Sequence, residues 1–129
     1  MARQMVPTIW MWVLMAMMPL GCWGPRVYRV QEDVARETLR RVLNLWQEGA
    51  PLEAAQQTSP TVVVQDSDWS AGARLLSYQC LDSGEPRNAN LVIRVQLTLQ
   101  TNDQRPQSKV VTYIVSTSPR LTVFRDPFQ

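Results

Sequence analysis

The stretch LVIRVQLTLQT, residues 91–101, carries the clearest structural signal in this sequence and decides its fold class. Apolar side chains occupy every second position: Leu91, Ile93, Val95, Leu97 and Leu99. Successive side chains of a β-strand point to opposite faces, so this alternation predicts a long strand with one buried and one polar face. A buried face of that length needs a second layer to cover it, and the neighbouring segments supply that layer.

The segments that follow predict further strands of the same sheet. TNDQRPQ, residues 101–107, is rich in turn-forming residues and predicts a hairpin. The return strand, residues 110–117, is apolar on both faces near its middle, which predicts a central position in the sheet. Ser118 and Pro119 end this strand, and residues 121–124 predict a last short one.

The segments that precede the long strand predict two more strands, at residues 61–65 and 75–81. Between them, residues 66–68 (DSD) predict a turn, and residues 69–72 predict a helical turn or a loop. The segment DSGEPRNAN, residues 82–90, is predicted to be a loop because most of its residues favour turns.

Residues 32–48 predict an amphipathic helix. Its apolar residues recur at steps of three and four: Ala35, Leu39, Val42, Leu43 and Trp46. Gly49 ends the helix, and Pro51 allows a second, short helix to begin at LEAAQQ, residues 52–57. Helices grouped apart from strands indicate an α+β fold. We expect the two helices to pack on a curved, mainly antiparallel sheet of four to five strands.

Three stretches resemble a family of small exported bacterial domains: DSDWSAGARLLSYQCLDSG (66–84), NLVIRVQLTLQT (90–101) and KVVTYIVSTSPRLTVFRD (109–126). In that family a Trp-x-x-Gly turn leads into a long strand, and a Leu-Thr-Val-hydrophobic-Arg strand closes the sheet. The order of elements also resembles the cone-shaped α+β fold of the nuclear-transport-factor-two-like superfamily. This resemblance implies a pocket between helix and sheet. Some members are enzymes with an Asp, often with a His, inside the cone, and many others bind or pair with partners.

The N-terminal segment predicts a signal peptide at residues 1–21. Arg3 precedes an apolar run of 15 residues, VPTIWMWVLMAMMPL, at positions 6–20. As a helix this run would extend roughly 22 Å, short of the ~30 Å hydrocarbon core of a bilayer. A basic start, a short apolar region and a small residue before the cut are typical of secretory signals, and Gly21 supplies that residue.

The tetrad PLGC, residues 19–22, resembles the lipobox of bacterial lipoproteins. The resemblance implies cleavage between Gly21 and Cys22. It also implies lipidation of Cys22 by a diacylglyceryl thioether and an acyl chain such as palmitate. Residues 22–31 would then be a lipid-attached tether and residues 32–129 the α+β domain. The predicted location is the bacterial cell envelope, on the extracytoplasmic side of a membrane.

Two alternatives to lipidation remain open at the N-terminus. An uncleaved anchor could use residues 6–23, whose 18 residues are the lower limit for spanning a bilayer. Alternatively, the chain is cut elsewhere and secreted, and Cys22 forms a disulfide with Cys80. That disulfide cannot coexist with lipidation of Cys22. If Cys22 carries lipid, we expect Cys80 to behave as a small apolar residue.

Composition excludes several classes of function. The sequence has no histidine and two cysteines, which excludes a zinc cluster and Ser–His or Cys–His nucleophile pairs. Its five glycines form no phosphate-binding loop. The net charge is +2, without a basic stripe interleaved with aromatic residues, so nucleic acid is not an expected partner. No cofactor or metal is expected.

Five residues are candidates for a pocket. Asp66 and Asp68 are paired carboxylates at a strand end, suited either to acid–base chemistry or to a solvated turn. Trp69 and Tyr113 could line a pocket, although aromatic residues of a helix–sheet core give the same pattern. Arg94, on the polar face of the long strand, could meet an anion or simply face solvent.

The sequence therefore favours a non-enzymatic binding or protein-interaction module. It would be held at the membrane by a lipid anchor, with another protein or a second copy as partner. The alternative is a small-molecule pocket protein or a weak lyase or isomerase that uses a carboxylate in the cone.

Overall fold

The computed structural model describes residues 29–102 and 104–128. Its helices are α1 (Glu32–Gln47), a 3-10 helix (Leu52–Gln57) and the short α2 (Ser67–Ser70). Its strands are β1 (Val62–Gln65), β2 (Arg74–Cys80), β3 (Glu85–Arg87), β4 (Asn90–Gln100), β5 (Gln107–Ser116) and β6 (Leu121–Arg125). The predicted fold class, helices on one curved sheet, is confirmed.

The sheet has the strand order β1-β6-β5-β4-β2, with β3 also paired to β4. The β1–β6 pair is parallel, and the other pairs are antiparallel. β5 lies at the centre, as its apolar faces predict. β3 forms within the segment predicted to be a loop. All three of its residues are exposed and one is Pro86, so the sequence carries no alternation that would reveal it.

β2 and β3 lie on the same edge of β4, and the short connection at residues 81–84 joins them. The Asp82 Oδ1 atom accepts hydrogen bonds from the backbone N–H groups of Gly84 (3.0 Å) and Arg94 (3.4 Å). Gly84 has a φ of 96°. A Cβ at this position would lie 2.7 Å from Leu91 Cγ, so the connection requires glycine for its conformation and for the space it leaves.

The core lies between α1 and the inner face of the sheet. The predicted apolar stripe of α1 is buried, and so is every alternate residue of β4 from Leu91 to Leu99. β1, β5 and β6 complete the buried layer with Val62, Val64, Val111, Tyr113, Val115 and Val123. The helix therefore covers one face of the sheet. This agrees with the alternation in β4, which has one apolar and one polar face.

β2 is an edge strand of the sheet in the part of the chain that the structure describes, and two local features interrupt it. The register with β4 shifts between Leu75 and Ser77, which leaves Leu76 in a bulge. The Gln47 side chain of α1 donates a hydrogen bond from Nε2 to the Leu76 carbonyl oxygen at 3.1 Å. A bulge and an occupied carbonyl make this edge a poor template for a further strand.

The two ends of the sheet differ in what they carry. At one end, here called the entry end, the chain enters the domain: residues 29–31 lie beside the turns at 88–89 and 117–120. The Val30 N–H bonds the Asn88 carbonyl oxygen (3.3 Å), and the Gln31 N–H bonds Thr117 Oγ1 (3.0 Å). At the opposite, distal end lie α2 and the C-terminal end of α1.

Candidate functional site

The distal end holds a polar cluster built around Asp66, where β1 ends. Asp66 is the N-cap of α2, and its Oδ1 accepts hydrogen bonds from the N–H groups of Asp68 (3.0 Å) and Trp69 (3.2 Å). Its side chain is 1% exposed. The predicted turn with a side-chain-to-backbone hydrogen bond is therefore present, but the carboxylate is buried and not solvated.

Two further strands supply donors to this buried carboxylate. The Tyr113 hydroxyl of β5 donates to Asp66 Oδ2 at 2.5 Å, and Arg125 Nη1 of β6 lies 3.1 Å from Oδ1. Burial, followed by the charge of Asp66, raises the pKa of Tyr113 well above its ordinary value of 10. Tyr113 therefore stays protonated and serves as a hydrogen-bond donor.

Asp68 extends the cluster toward solvent. Its Oδ2 pairs with Arg125 and, at 2.5 Å, with the Lys109 ammonium. Burial alone would raise the pKa of Asp68, but the hydrogen bonds from Lys109 and Arg125 outweigh it and lower the pKa. Burial alone would lower the pKa of Arg125, but its bond to Asp68 and the charge of Asp66 raise it. Both groups are therefore charged at neutral pH.

This polar cluster (Asp66, Asp68, Lys109, Tyr113 and Arg125) ties three strands and α2 together. Among the residues that the structure describes, no buried side-chain nitrogen or oxygen lacks a hydrogen-bond partner. A general base needs a lone pair that a substrate can reach, whereas Asp66 is enclosed by four donors. The geometry supports a structural role for Asp66.

A pair of tryptophans lies beside the cluster. The rings of Trp46 and Trp69 stack with centroids 5.4 Å apart and an interplanar angle of 11°. Each indole N–H donates to a backbone carbonyl: Trp46 to Ala73 at 2.8 Å and Trp69 to Ala50 at 3.0 Å. Both side chains are buried. The pair therefore fixes the end of α1 against the loop that precedes β2.

An open cleft of about 450 Å³ lies over this tryptophan pair. The segments 46–53 and 72–75 form most of its lining. Its charged side chains are Glu48, Glu53 and Arg74, and all three are exposed. The cleft has the volume of a small-ligand site, but the tryptophans form its floor with little exposed ring surface.

The structure brings four of the five predicted pocket residues together at the distal end: Asp66, Asp68, Trp69 and Tyr113. Arg94 is not among them, because it is exposed on the opposite face of the sheet. The sequence pattern did not predict Lys109 and Arg125 as members of the cluster. They lie far from Asp68 along the chain, and no local pattern indicates that their strands meet it.

The face of the sheet opposite α1, here called the helix-free face, is formed by the outward residues of all six strands. Within the described part of the chain no helix packs on it. Its apolar members are Val63, Val92, Val110, Ile114 and Phe124. The register aligns Val92, Ile114 and Phe124 in one row across three strands.

Cys80 is exposed on β2 and forms no disulfide with a residue that the structure describes. Burial of part of its surface raises its pKa, and the Arg40 guanidinium opposes that rise. A raised pKa makes it a weak nucleophile at neutral pH. The predicted cleavage and lipidation site, Gly21 and Cys22, lies outside the described residues.

Two features are absent from the described residues: a metal-binding group of side chains and a membrane-spanning helix. No group of three or more Asp, Glu and Cys side chains is placed to hold a metal ion, and no helix in residues 29–102 or 104–128 is long and apolar enough to cross a membrane.

No protein-family model, curated protein or solved structure matches this chain. The resemblance to the nuclear-transport-factor-two-like superfamily therefore stays a prediction from the sequence, and so does the lipobox.

Proposed function

We propose that this protein is a lipoprotein of the bacterial cell envelope, attached through Cys22, whose domain is a non-enzymatic protein-interaction module on the extracytoplasmic side. The apolar run at residues 6–20 followed by PLGC supports the anchor. The helix-free face supports the interaction module, and it is the observation on which the proposal depends.

The part of the helix-free face on β1, β5 and β6 is without charge. Its outward positions are Val63, Gln65, Ser108, Val110, Thr112 (which is buried), Ile114, Ser116, Thr122 and Phe124. The charged residues of this face, Arg74, Glu85, Arg87 and Arg94, lie on β2, β3 and β4. In the whole chain, 19% of residues are charged. Depletion of charge around an apolar centre distinguishes the core of a protein interface from ordinary surface.

The occupant of this face is another protein, either a second copy or a different chain. Two copies that pack through the outward residues of β1, β5 and β6 bring no like charges of those strands together, so self-association there meets little repulsion. A small-molecule binding function is the second candidate, and the cleft of about 450 Å³ at the tryptophan pair favours it. Carboxylate chemistry at Asp66 receives no such support, because four donors enclose that side chain.

The test replaces one exposed valine on each side of the molecule with lysine. Val110, on the helix-free face, is 46% exposed, and Val34, on α1, is 39% exposed, so Val34→Lys is a matched control for Val110→Lys. Sedimentation velocity of the purified full chain reports self-association. Crosslinking from residue 110 in intact membranes, followed by mass spectrometry, reports a different partner.

We expect the parent chain to form a dimer, or to crosslink from residue 110 to another protein. Val110→Lys should abolish the dimer, or the binding of the protein that the crosslink identifies, and Val34→Lys should preserve it, since burying an unpaired charge in an interface costs several kcal/mol. A monomeric protein that gives no crosslink at residue 110 would contradict the proposal. Equal losses in both variants would also contradict it.

A further inference from the structure

The entry end of the sheet is the part of the domain closest to the membrane if the chain is anchored at its N-terminus. Seven residue steps separate Cys22 from Arg29, so the tether can span at most roughly 25 Å. β4 has 11 residues and extends about 35 Å toward the distal end. The backbone bonds of Val30 and Gln31 fix where the tether leaves the domain.

Exposed arginines surround this exit point. Arg29 lies on the tether side and Arg120 lies in the β5–β6 turn. Both are exposed, and neither has an ion pair with a residue that the structure describes. Glu85 nearby pairs with Arg87 at 3.2 Å. The adjoining first turn of α1 carries two further carboxylates: Asp33, which pairs with Arg36 at 2.6 Å, and Glu32, which has no ion pair with a residue that the structure describes.

A shallow apolar hollow of about 490 Å³ opens at the same end. It is lined by Pro60, Thr61, Val63, Thr117, Pro119, Arg120 and Leu121. Thr117 also accepts the hydrogen bond from Gln31, so the hollow adjoins the point where the tether leaves. Apolar side chains with an arginine at the margin match the boundary between lipid headgroups and acyl chains.

We propose that the entry end docks on the surface of an anionic phospholipid bilayer, with Arg29 and Arg120 bound to lipid phosphates. Docking in this orientation holds the tryptophan cleft and the polar cluster away from the membrane. It leaves the helix-free face open at the side, except at Val63, which also lines the hollow. The proposal rests on the membrane attachment in the proposed function, and it adds the orientation of the domain and the chemistry of the lipid.

The experiment uses the full chain recovered from its own membranes and reconstituted on two kinds of vesicle. One kind contains phosphatidylcholine alone, and the other also contains phosphatidylglycerol. Intact mass, read first, is expected to show a chain that begins at Cys22 and carries acyl groups. Amide hydrogen exchange then compares the turns at 88–89 and 117–120 with the distal segments 48–53 and 101–107.

We expect the entry-end turns to exchange more slowly on anionic vesicles than on neutral ones, with no change at the distal segments. Arg29→Gln combined with Arg120→Gln should lower the docking equilibrium by roughly 25-fold, about 5-fold for each arginine. Raising the salt concentration should have the same effect, because the contacts are exposed. Arg74→Gln combined with Arg105→Gln removes two exposed arginines away from the entry end and should leave the protection intact.

Equal exchange on both kinds of vesicle would overturn the docking proposal while leaving the anchor in place. Equal losses of entry-end protection in the two double variants would also overturn it, because they would show that total charge, and not the position of the arginines, determines the protection. A full-length or unlipidated mass, with a chain that does not float with vesicles, would overturn the membrane attachment itself and this proposal with it.

Discussion

At the scale of single residues, Asp66 shows how a buried charge can be accommodated. Its carboxylate is taken out of water but receives bonds from two backbone N–H groups, one hydroxyl and one guanidinium. Removing one of these hydrogen-bond donors is costly because the Asp66 carboxylate then stays buried without that partner. The cluster therefore makes the local structure sensitive to the removal of any one donor.

Tyr113→Phe tests this sensitivity. The substitution removes the hydroxyl that bonds Asp66 Oδ2, and we expect the free energy of unfolding to fall by about 1–3 kcal/mol. Tyr78→Phe is the matched control: its hydroxyl bonds Asn44 Oδ1 at 2.7 Å in an exposed position where water can replace it. The control should lose about 0.5–1 kcal/mol. Urea denaturation measures the free energy of unfolding of both variants. Equal losses would show that the buried hydrogen bond contributes no more to stability than the exposed one.

Single positions were only partly predictable from the sequence. The spacing of Asp66 and Asp68 after a strand correctly indicated a turn with a side-chain-to-backbone bond. Burial of Asp66 was not predictable, because it depends on Tyr113 and Arg125 arriving from strands that lie 47 and 59 residues further along the chain. No local pattern records such a meeting.

At the scale of elements, the connection between β2 and β3 depends on glycine for two reasons. Gly84 has a positive φ of 96°, and a Cβ there would collide with Leu91 and Ile93, both fully buried in the core. Core side chains cannot move aside as an exposed chain end can. The conformation of this connection therefore depends on the core side chains that pack beneath it.

Gly84→Ala separates backbone strain from this collision when it is compared with Gly72→Ala. Gly72 has a φ of 90°, but no heavy atom lies within 4 Å of its Cβ position. We expect Gly72→Ala to lower stability by about 1–2 kcal/mol through strain alone. Gly84→Ala should lower it by a further 1–3 kcal/mol, approximately, through overpacking. Thermal or urea unfolding gives both values, and identical losses would exclude the collision.

Elements with a strong period were predicted well, and elements without one were not. α1 was expected at residues 32–48 and spans Glu32–Gln47; the long strand was expected at 91–101 and spans Asn90–Gln100. Both bury one face, so burial imposes the period that the sequence displays. β3 buries nothing, and its pairing depends on β4 alone. The segment 52–57 was expected as a helix and is a 3-10 helix.

At the scale of the whole molecule, the charges of the polar cluster link stability to pH. Asp68 has a pKa lowered below its ordinary value of 3.8, so it binds protons less readily in the folded chain than in the unfolded one. Its contribution is therefore present above about pH 4 and is lost as the pH falls through the folded pKa. The whole domain should become less stable in that acid range.

Asp68→Asn should flatten this acid dependence. We expect the variant to be less stable than the parent at neutral pH and to lose less stability on acidification, because the titrating group is gone. Asp33→Asn is the control: Asp33 pairs with Arg36, but its side chain is 98% exposed. Unfolding free energies measured from neutral pH to pH 3 report both variants. Parallel curves for Asp68→Asn and the parent would contradict the assignment.

The sheet order places the last strand in the chain, β6, between β5 and the first strand, β1. Among the described residues β1 has β6 as its one partner in the sheet, and β6 also supplies Arg125 to the polar cluster. During synthesis from the N-terminus, neither the β1 edge nor the cluster can form until β6 emerges. Closure of the domain therefore waits for the synthesis of β6. A nascent chain whose sheet stays open until β6 appears would suit the export that we propose for this protein.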